Sequence, residues 1–77
     1  MVAWEYVVVG TRAESNAPVR MTLNGKLYTG SDLKKSVSNL SYLLNQFGQD
    51  GWELIHLDIH PKFATTRTLI FKRPSSE

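Results

Sequence analysis

Three side chains that can bind metal ions or transfer protons alternate late in the chain: His56, Asp58 and His60. On a strand each residue advances about 3.3 Å, so the two histidines would stand roughly 13 Å apart. Zinc ligands hold their donor atoms about 2.0–2.3 Å from one ion. A helix would bring the histidines together, but Gly51 and Pro61 bracket only nine residues. We therefore predict polar positions near the end of a strand, and no metal site.

Two carboxylates, Glu5 and Glu53, each follow a tryptophan and are candidates for acid–base chemistry. Pairing with Lys72 or Arg73 across a sheet is the interpretation we prefer. The sequence contains no serine nucleophile motif, no phosphate-binding glycine loop and no cysteine. We predict that the protein is not an enzyme, with no catalytic residue and no cofactor.

The length of 77 residues predicts one small domain, placed at residues 1–74 with a tail at 75–77. A chain of this size buries only about 60–65% of the surface that it exposes when unfolded. Without cysteine it has no disulfide and no thiolate metal site to stabilise it. A partner subunit is the remaining common solution, and we predict a homo-oligomer.

The charges exclude some classes of partner. Nine basic and seven acidic residues give a net charge of +2, and the basic residues are scattered. Nucleic-acid binding is not predicted, because it needs basic residues clustered on one face. The start of the chain is apolar but contains Glu5 and no basic segment, so it predicts a strand and not a signal peptide. No apolar run approaches the roughly 20 residues of a membrane span, and we expect a cytoplasmic protein.

The pattern along the chain predicts an α+β domain in the order β, β-hairpin, α, β, β, with one amphipathic helix packed on one face of a small, mainly antiparallel sheet. The first strand covers residues 3–11, and 12–18 form a loop. Asn24-Gly25 predicts a type I′ turn in an inserted hairpin at about 19–29. The helix, predicted for residues 32–47 with Ser31-Asp32 as its N-cap, carries a stripe of apolar residues. These are Leu33, Val37, Leu40, Leu44 and Phe47.

Gly48 is the predicted left-handed residue that ends this helix. The segments WELIHLDI and TRTLIFKR follow as two further strands. Side chains alternate along each strand, so every strand has two faces. One helix covers only one face of a small sheet, so the apolar side chains of the other face must be covered in another way. We predict an interface from the residues that share such a second face: Val7, Val9, Ile55, Leu57, Ile59 and Ile70.

The sequence leaves open which face the helix covers and what hides the other one. A second subunit, a hydrophobic or aromatic ligand, or the hairpin folding over the sheet would each serve. A ligand, a nucleotide or another anion, would lie between subunits along an edge that combines aromatic rings with basic groups. The residues of this possible ligand edge are Trp4, Trp52, Arg67, Lys72 and Arg73.

Three short motifs resemble one family of small bacterial and phage proteins, catalogued as domain of unknown function 4177. They are W-E-Y-x-V-V from Trp4, L-N-x-x-G-x-x-G-W-E-L from Leu44, and F-K-R-P from Phe71. The resemblance implies a β-α-β-β unit with tryptophans and glycines beside the helix exit, and it implies no activity. The chain departs from the family where Arg12 to Gly30 intervenes, and at Val7, where typical members have lysine.

The apolar side chain of Val7 and the added hairpin motivate the hypothesis that this chain has gained a partner interface. We therefore predict a small, non-enzymatic interaction module that self-associates through an apolar sheet face and binds a protein partner of unknown identity. The alternative is a regulator that binds a small molecule between its subunits.

Overall fold

The computed structural model describes residues 3–13, 19–63 and 65–75 of the chain. They form an antiparallel sheet with two short helices on one side. In chain order the elements are β1 Trp4–Arg12, β2 Arg20–Leu23, β3 Lys26–Leu27, α1 Leu33–Ser38, α2 Leu40–Gln49, β4 Glu53–Ile59 and β5 Arg67–Pro74. The strand order across the sheet is β3-β2-β1-β5-β4. The predicted α+β class is confirmed. No helix among the described residues is long and apolar enough to cross a membrane.

The hairpin of β2 and β3 turns at Asn24-Gly25, where both residues have positive φ, 51° and 85°. Positive φ at both central positions is what a type I′ turn requires, so the predicted turn is confirmed. Asn24 also ties the hairpin to the first strand: its N–H donates to the Val8 carbonyl oxygen and its Oδ1 accepts from the Val8 N–H, both at 2.8 Å. The hairpin therefore extends the sheet beside β1, and the alternative that it folds over a sheet face is wrong. Residues 14–18 of the predicted loop lie outside the described residues.

The single helix predicted for residues 32–47 is wrong, because the chain breaks at Asn39. This residue is extended, with φ −126° and ψ 101°, and its side-chain oxygen accepts a hydrogen bond from the Tyr42 N–H at 3.1 Å. Asparagine is a favoured N-cap, so it ends α1 and begins α2 at once. Asp32 does occupy the N-cap position of α1, but its side chain makes no capping hydrogen bond.

The end of α2 differs from the predicted one. The helix continues through Gly48 to Gln49, and the residue with positive φ is Gly51, at 86°. Its N–H donates to the Gly48 carbonyl oxygen at 3.0 Å, and the Trp52 N–H donates to the Phe47 carbonyl oxygen at 3.0 Å. The left-handed turn therefore comes three residues later than predicted, immediately before β4.

The core lies between the helices and one face of the sheet. Its buried apolar residues are Val7, Val9, Met21, Val37, Leu43, Leu69 and Phe71. Four of the five predicted stripe residues pack against this core and the fifth, Val37, belongs to it. Leu43 is also fully buried and was not part of the predicted stripe. The helices thus cover the face that carries the buried valines of β1, which answers the question that the sequence left open.

Candidate functional site

The face of the sheet away from the helices is uncovered and carries a group of apolar side chains; we call it the open face. On β1 it presents Trp4, Tyr6 and Val8, whose side chains are 45%, 55% and 43% exposed. Val8 pairs with Ile70 of β5, and Ile70 is half-buried. Side chains of neighbouring strands at paired positions stand about 5 Å apart, so these residues form one continuous apolar surface.

A β-bulge in β4 brings a further apolar residue to the open face. Leu54 pairs with Phe71 and Leu57 pairs with Leu69, and both leucines pack against the core although they are three positions apart. The pairing is irregular between Leu54 and His56, so one extra residue is accommodated there. Ile55, which is 45% exposed, therefore lies with His56 on the open face.

Charges of both signs border this apolar surface. Lys72 pairs with Glu53 across β5 and β4. The Lys72 ammonium also lies over the Trp4 ring, 4.2 Å from its centroid. A cation over an indole ring is attracted by the negative face of the ring. This end of the open face therefore combines a positive charge, a negative charge and an aromatic ring without a large net charge.

The six residues predicted to form one interface do not share a face, and that prediction is wrong. Val7 and Val9 are buried beneath the helices, and Leu57 packs against the same core. Ile59 pairs with Arg67 on the helix side, where it is 45% exposed. Only the remaining two, at positions 55 and 70, lie on the open face. The bulge is the physical reason for Ile55, because it shifts the alternation of β4. Ile70 lies on the open face because the register of β1 and β5 pairs it with Val8 and not with Val7 or Val9.

The possible ligand edge is likewise divided among three places, so the prediction that its residues form one edge is wrong. Lys72 and Trp4 lie together on the open face. Arg73 lies over Trp52 near the end of α2, with its guanidinium 4.1 Å from the ring centroid. Arg67 begins β5, six residues from Arg73, which is roughly 20 Å along a strand.

Arg73 links three segments of the fold. Its Nε donates to a Glu5 carboxylate oxygen, and its Nη1 donates to the Asp50 carbonyl oxygen at 2.8 Å. The predicted pairing of Glu5 with a basic residue across the sheet is therefore confirmed. Glu53 lies on the open face and Glu5 on the other side, so the two carboxylates do not act as a pair. Arg73 holds β1, β5 and the turn after α2 together.

The helix side of the sheet contains a cleft of about 330 Å³, with apolar walls that include Met21, Leu43 and Phe47. Asp32 is also part of its lining. The Tyr28 and Tyr42 hydroxyls donate to the Asp32 carboxylate at 2.6 and 3.0 Å. The Tyr28 hydrogen bond, and then that of Tyr42, lower the pKa of Asp32 below its usual value, while the bond to Asp32 raises the pKa of both phenols.

A glycine makes room for this cluster. A Cβ on Gly30 would lie 2.0 Å from the Tyr28 hydroxyl oxygen and 2.2 Å from the adjacent ring carbon. Any other residue at position 30 would therefore displace the Tyr28 ring from its place. The glycine allows the phenol to reach the Asp32 carboxylate, which links the end of the hairpin to the start of α1.

The Asp32 cluster predicts a dependence of stability on pH. A carboxyl group whose pKa is lowered on folding adds stability above its usual pKa of 3.8, and this stability is lost as the pH falls through the lowered value. The raised pKa of the phenols adds stability below pH 10, which is lost as the pH rises further. Asp32→Asn should therefore destabilise most at neutral pH.

Urea unfolding of the wild type and of Asp32→Asn across this range measures the difference. Asp58→Asn removes an exposed carboxylate from β4 and is the matched control. We expect the difference between the wild type and Asp32→Asn to shrink below about pH 4 and above about pH 10. A difference that stays constant over the whole range would contradict the role of the ionised carboxylate.

The alternating polar residues occupy the strand predicted for them. His56 and Asp58 lie on β4, and His60 follows it. The Nδ1 of His60 accepts a hydrogen bond from the Lys62 N–H at 3.0 Å, which shapes the loop after the strand. Within residues 3–13, 19–63 and 65–75 no three histidine, aspartate or glutamate side chains are arranged to hold a metal ion.

Comparisons with family models, with curated proteins and with solved structures find no match to this chain. The resemblance to domain of unknown function 4177 therefore stays a prediction. The candidate site depends on the geometry of the open face alone. Sequence reasoning missed Tyr6 and Val8 as members of this surface. The sequence of β5 does contain a signal for which face is covered. Leu69 and Phe71 make one face of this strand the more apolar one and so the one to be covered by the helices, whereas Ile70 has the polar neighbours Thr68 and Lys72 on the other face.

Proposed function

We infer that the protein is a small interaction module that self-associates through the open face. The observation that carries this proposal is the continuous apolar surface of Tyr6, Val8, Ile55 and Ile70, on the side of the sheet that the helices leave uncovered. Monomeric proteins seldom expose a contiguous apolar surface larger than a few hundred Å². A partner that covers this surface removes it from water.

A second copy of the chain is the partner that fits best. A two-fold contact needs a surface that complements itself, and an apolar surface bordered by Lys72 and Glu53 does so without net repulsion. At about 3.3 Å per residue and 4.8 Å between strands, the whole face measures roughly 30 by 24 Å. The apolar residues occupy only part of this face, so a contact through them is smaller than the roughly 800 Å² per partner of a standard interface.

Charge also favours one orientation of the two copies. Arg12 and Arg20 pair with each other at the end of the sheet where β1 ends. If both copies placed this end together, the two Arg20 guanidinium groups would meet and repel. We therefore expect the two sheets to pack face to face with β1 of one copy antiparallel to β1 of the other, staggered so that the apolar surfaces overlap and the arginine ends lie apart.

Sedimentation at a series of dilutions tests the proposal. The overlapping surface is at the small end of specific interfaces, so we expect a dimer with a dissociation constant of about 10 μM, or roughly −7 kcal/mol. The mass should change from that of two chains to that of one across this concentration. A folded monomer at all concentrations up to the millimolar range would contradict self-association.

A further inference from the structure

The cleft on the helix side of the sheet combines apolar walls with an acidic lining. Its volume of about 330 Å³ lies at the lower end of the roughly 300–1,000 Å³ that ligand pockets have. The lining includes two acidic residues, Asp32 and Asp50, and none of the lining residues, all of them within the described ranges, is basic. We propose that the cleft binds a small primary amine with an aromatic body, an arylalkylamine, whose ammonium group lies beside Asp32.

The apolar walls come from both layers of the fold. Met21 and Leu23 belong to β2, Leu43 and Phe47 belong to α2, and Trp52 precedes β4. Met21 and Leu43 are buried, and the other three are half-buried. Such aliphatic and aromatic walls favour the apolar part of a ligand, because its burial removes apolar surface from water.

The Asp32 carboxylate is held in place before any ligand arrives. The Tyr28 hydroxyl donates to its Oδ1 at 2.6 Å, and the Tyr42 hydroxyl donates to its Oδ2 at 3.0 Å. These hydrogen bonds, that of Tyr28 first, lower the pKa of Asp32, so the carboxyl group is ionised at neutral pH. A group that is already oriented loses little freedom on binding, which favours affinity.

The negative charge of Asp32 is not neutralised by a cation. Its carboxylate accepts hydrogen bonds from neutral hydroxyl groups, and among the described residues no basic side chain forms an ion pair with it. The Lys35 ammonium lies instead over the Tyr42 ring, 4.5 Å from its centroid. Each carboxylate oxygen has two lone pairs, so the hydroxyl groups leave room for a further donor.

Arg73 lies beside the lining, but its charge is already balanced. Its guanidinium lies over the Trp52 ring, 4.1 Å from the centroid, and its Nε donates to the Glu5 carboxylate. Its Nη1 donates to the backbone carbonyl oxygen of Asp50, which leaves the exposed Asp50 carboxylate with its charge. The cleft is therefore complementary in charge to a cation and not to an anion.

A protonated primary amine matches the polar groups of the lining. Its ammonium has three N–H donors and no acceptor, and it is charged at neutral pH because alkylamines such as lysine have a pKa of about 10.4. Besides Asp32, the hydroxyl oxygens of Tyr28 and Ser36 in the lining are acceptors. A hydrogen bond from an ammonium to a carboxylate is about twice as strong as one between neutral groups.

This inference does not depend on self-association. The cleft lies on the helix side of the sheet, opposite to the open face, and every residue of its lining comes from one chain. A dimer through the open face leaves the cleft accessible in each copy, so the two proposals can fail separately.

The test is an NMR titration with phenethylamine and two probes that keep its ring: phenethyl alcohol, which is neutral, and hydrocinnamate, which is an anion. With the amine we expect saturable shifts of the Met21 and Leu43 methyl signals and of the Trp52 indole N–H, with a dissociation constant of about 1 mM or below. Phenethyl alcohol and hydrocinnamate should bind at least about tenfold more weakly, because neither forms the charge-assisted hydrogen bond. If the amine gives no saturable shifts of these signals, or if either probe binds as tightly as the amine, the proposal is wrong.

Three variants assign the binding to the acidic lining. Asp32→Asn should weaken the binding of phenethylamine about tenfold or more. Since this variant is also expected to be less stable, a second pair of variants tests the same point. Gln46→Lys places an ammonium in the lining and should weaken binding about tenfold, whereas Gln49→Lys makes the same change at an exposed residue of α2 outside the lining and should leave binding unchanged. Wild-type binding by folded Asp32→Asn, or equal binding by the two lysine variants, would overturn the proposal.

Discussion

Phe71→Ala should lower the free energy of unfolding by about 3–5 kcal/mol, the range measured for deleting a buried aromatic ring. Phe71 is 1% exposed and its ring stacks on that of Phe47, with 4.5 Å between the centroids. It also pairs with Val7 and Leu54 on the two neighbouring strands. Small domains have only about 5–15 kcal/mol of stability in total, so a large fraction of the variant should be unfolded at 37 °C.

Urea unfolding followed by circular dichroism measures this loss, at a protein concentration low enough for the wild type to be monomeric. Tyr6→Ala is the control, because it deletes an aromatic ring from the adjacent strand that is 55% exposed on the other face. We expect it to change the stability of the monomer by about 1 kcal/mol or less. Equal losses in the two variants would contradict the assignment of core and open face.

Ile55→Lys should weaken self-association by about 2 kcal/mol or more, which is roughly a 30-fold increase in the dissociation constant. Ile55 lies on the open face, and a lysine there would place an ammonium group without a partner in the apolar interface. The residue is already 45% exposed in the single chain, so the substitution should leave the fold of the monomer intact.

The same strand offers a matched control. Ile59→Lys makes the same chemical change at a residue that is also 45% exposed, but on the helix side of the sheet. Sedimentation of both variants at the same concentrations compares them directly. We expect Ile59→Lys to associate as the wild type does. Equal weakening by both variants would indicate a general effect of charge, and no weakening by Ile55→Lys would exclude the open face as the interface.

Local signals in the sequence were sufficient for much of the fold. Asn24-Gly25 specified its turn because few other pairs accept positive φ at both positions. The spacing of Leu33, Val37 and Leu40 located the helical segment because these residues share one side of a helix. Asn39 was harder to interpret, since an asparagine within a helical pattern is tolerated in many proteins. Here its side chain caps α2 and breaks the segment in two.

The candidate site depended on features that local patterns do not contain. The bulge beside Ile55 is defined by the partner strand, because it appears only when Leu54 and Leu57 are both paired to β5. The choice of covered face depends on which strands are neighbours. The pairing of Gly10 with Thr22 on one side and Thr68 on the other likewise needs β2 and β5 beside β1, an order that the sequence alone did not give.

The most direct test of the interface is an NMR experiment on a mixture of isotope-labelled and unlabelled chains, which detects only contacts between different copies. At a concentration where the dimer is populated, we expect contacts between chains from the methyl groups of Val8, Ile55 and Ile70. Contacts between chains that involve Ile59 and none of these methyl groups, or a dimer in which β4 pairs with β4 of the partner edge to edge, would contradict association through the open face.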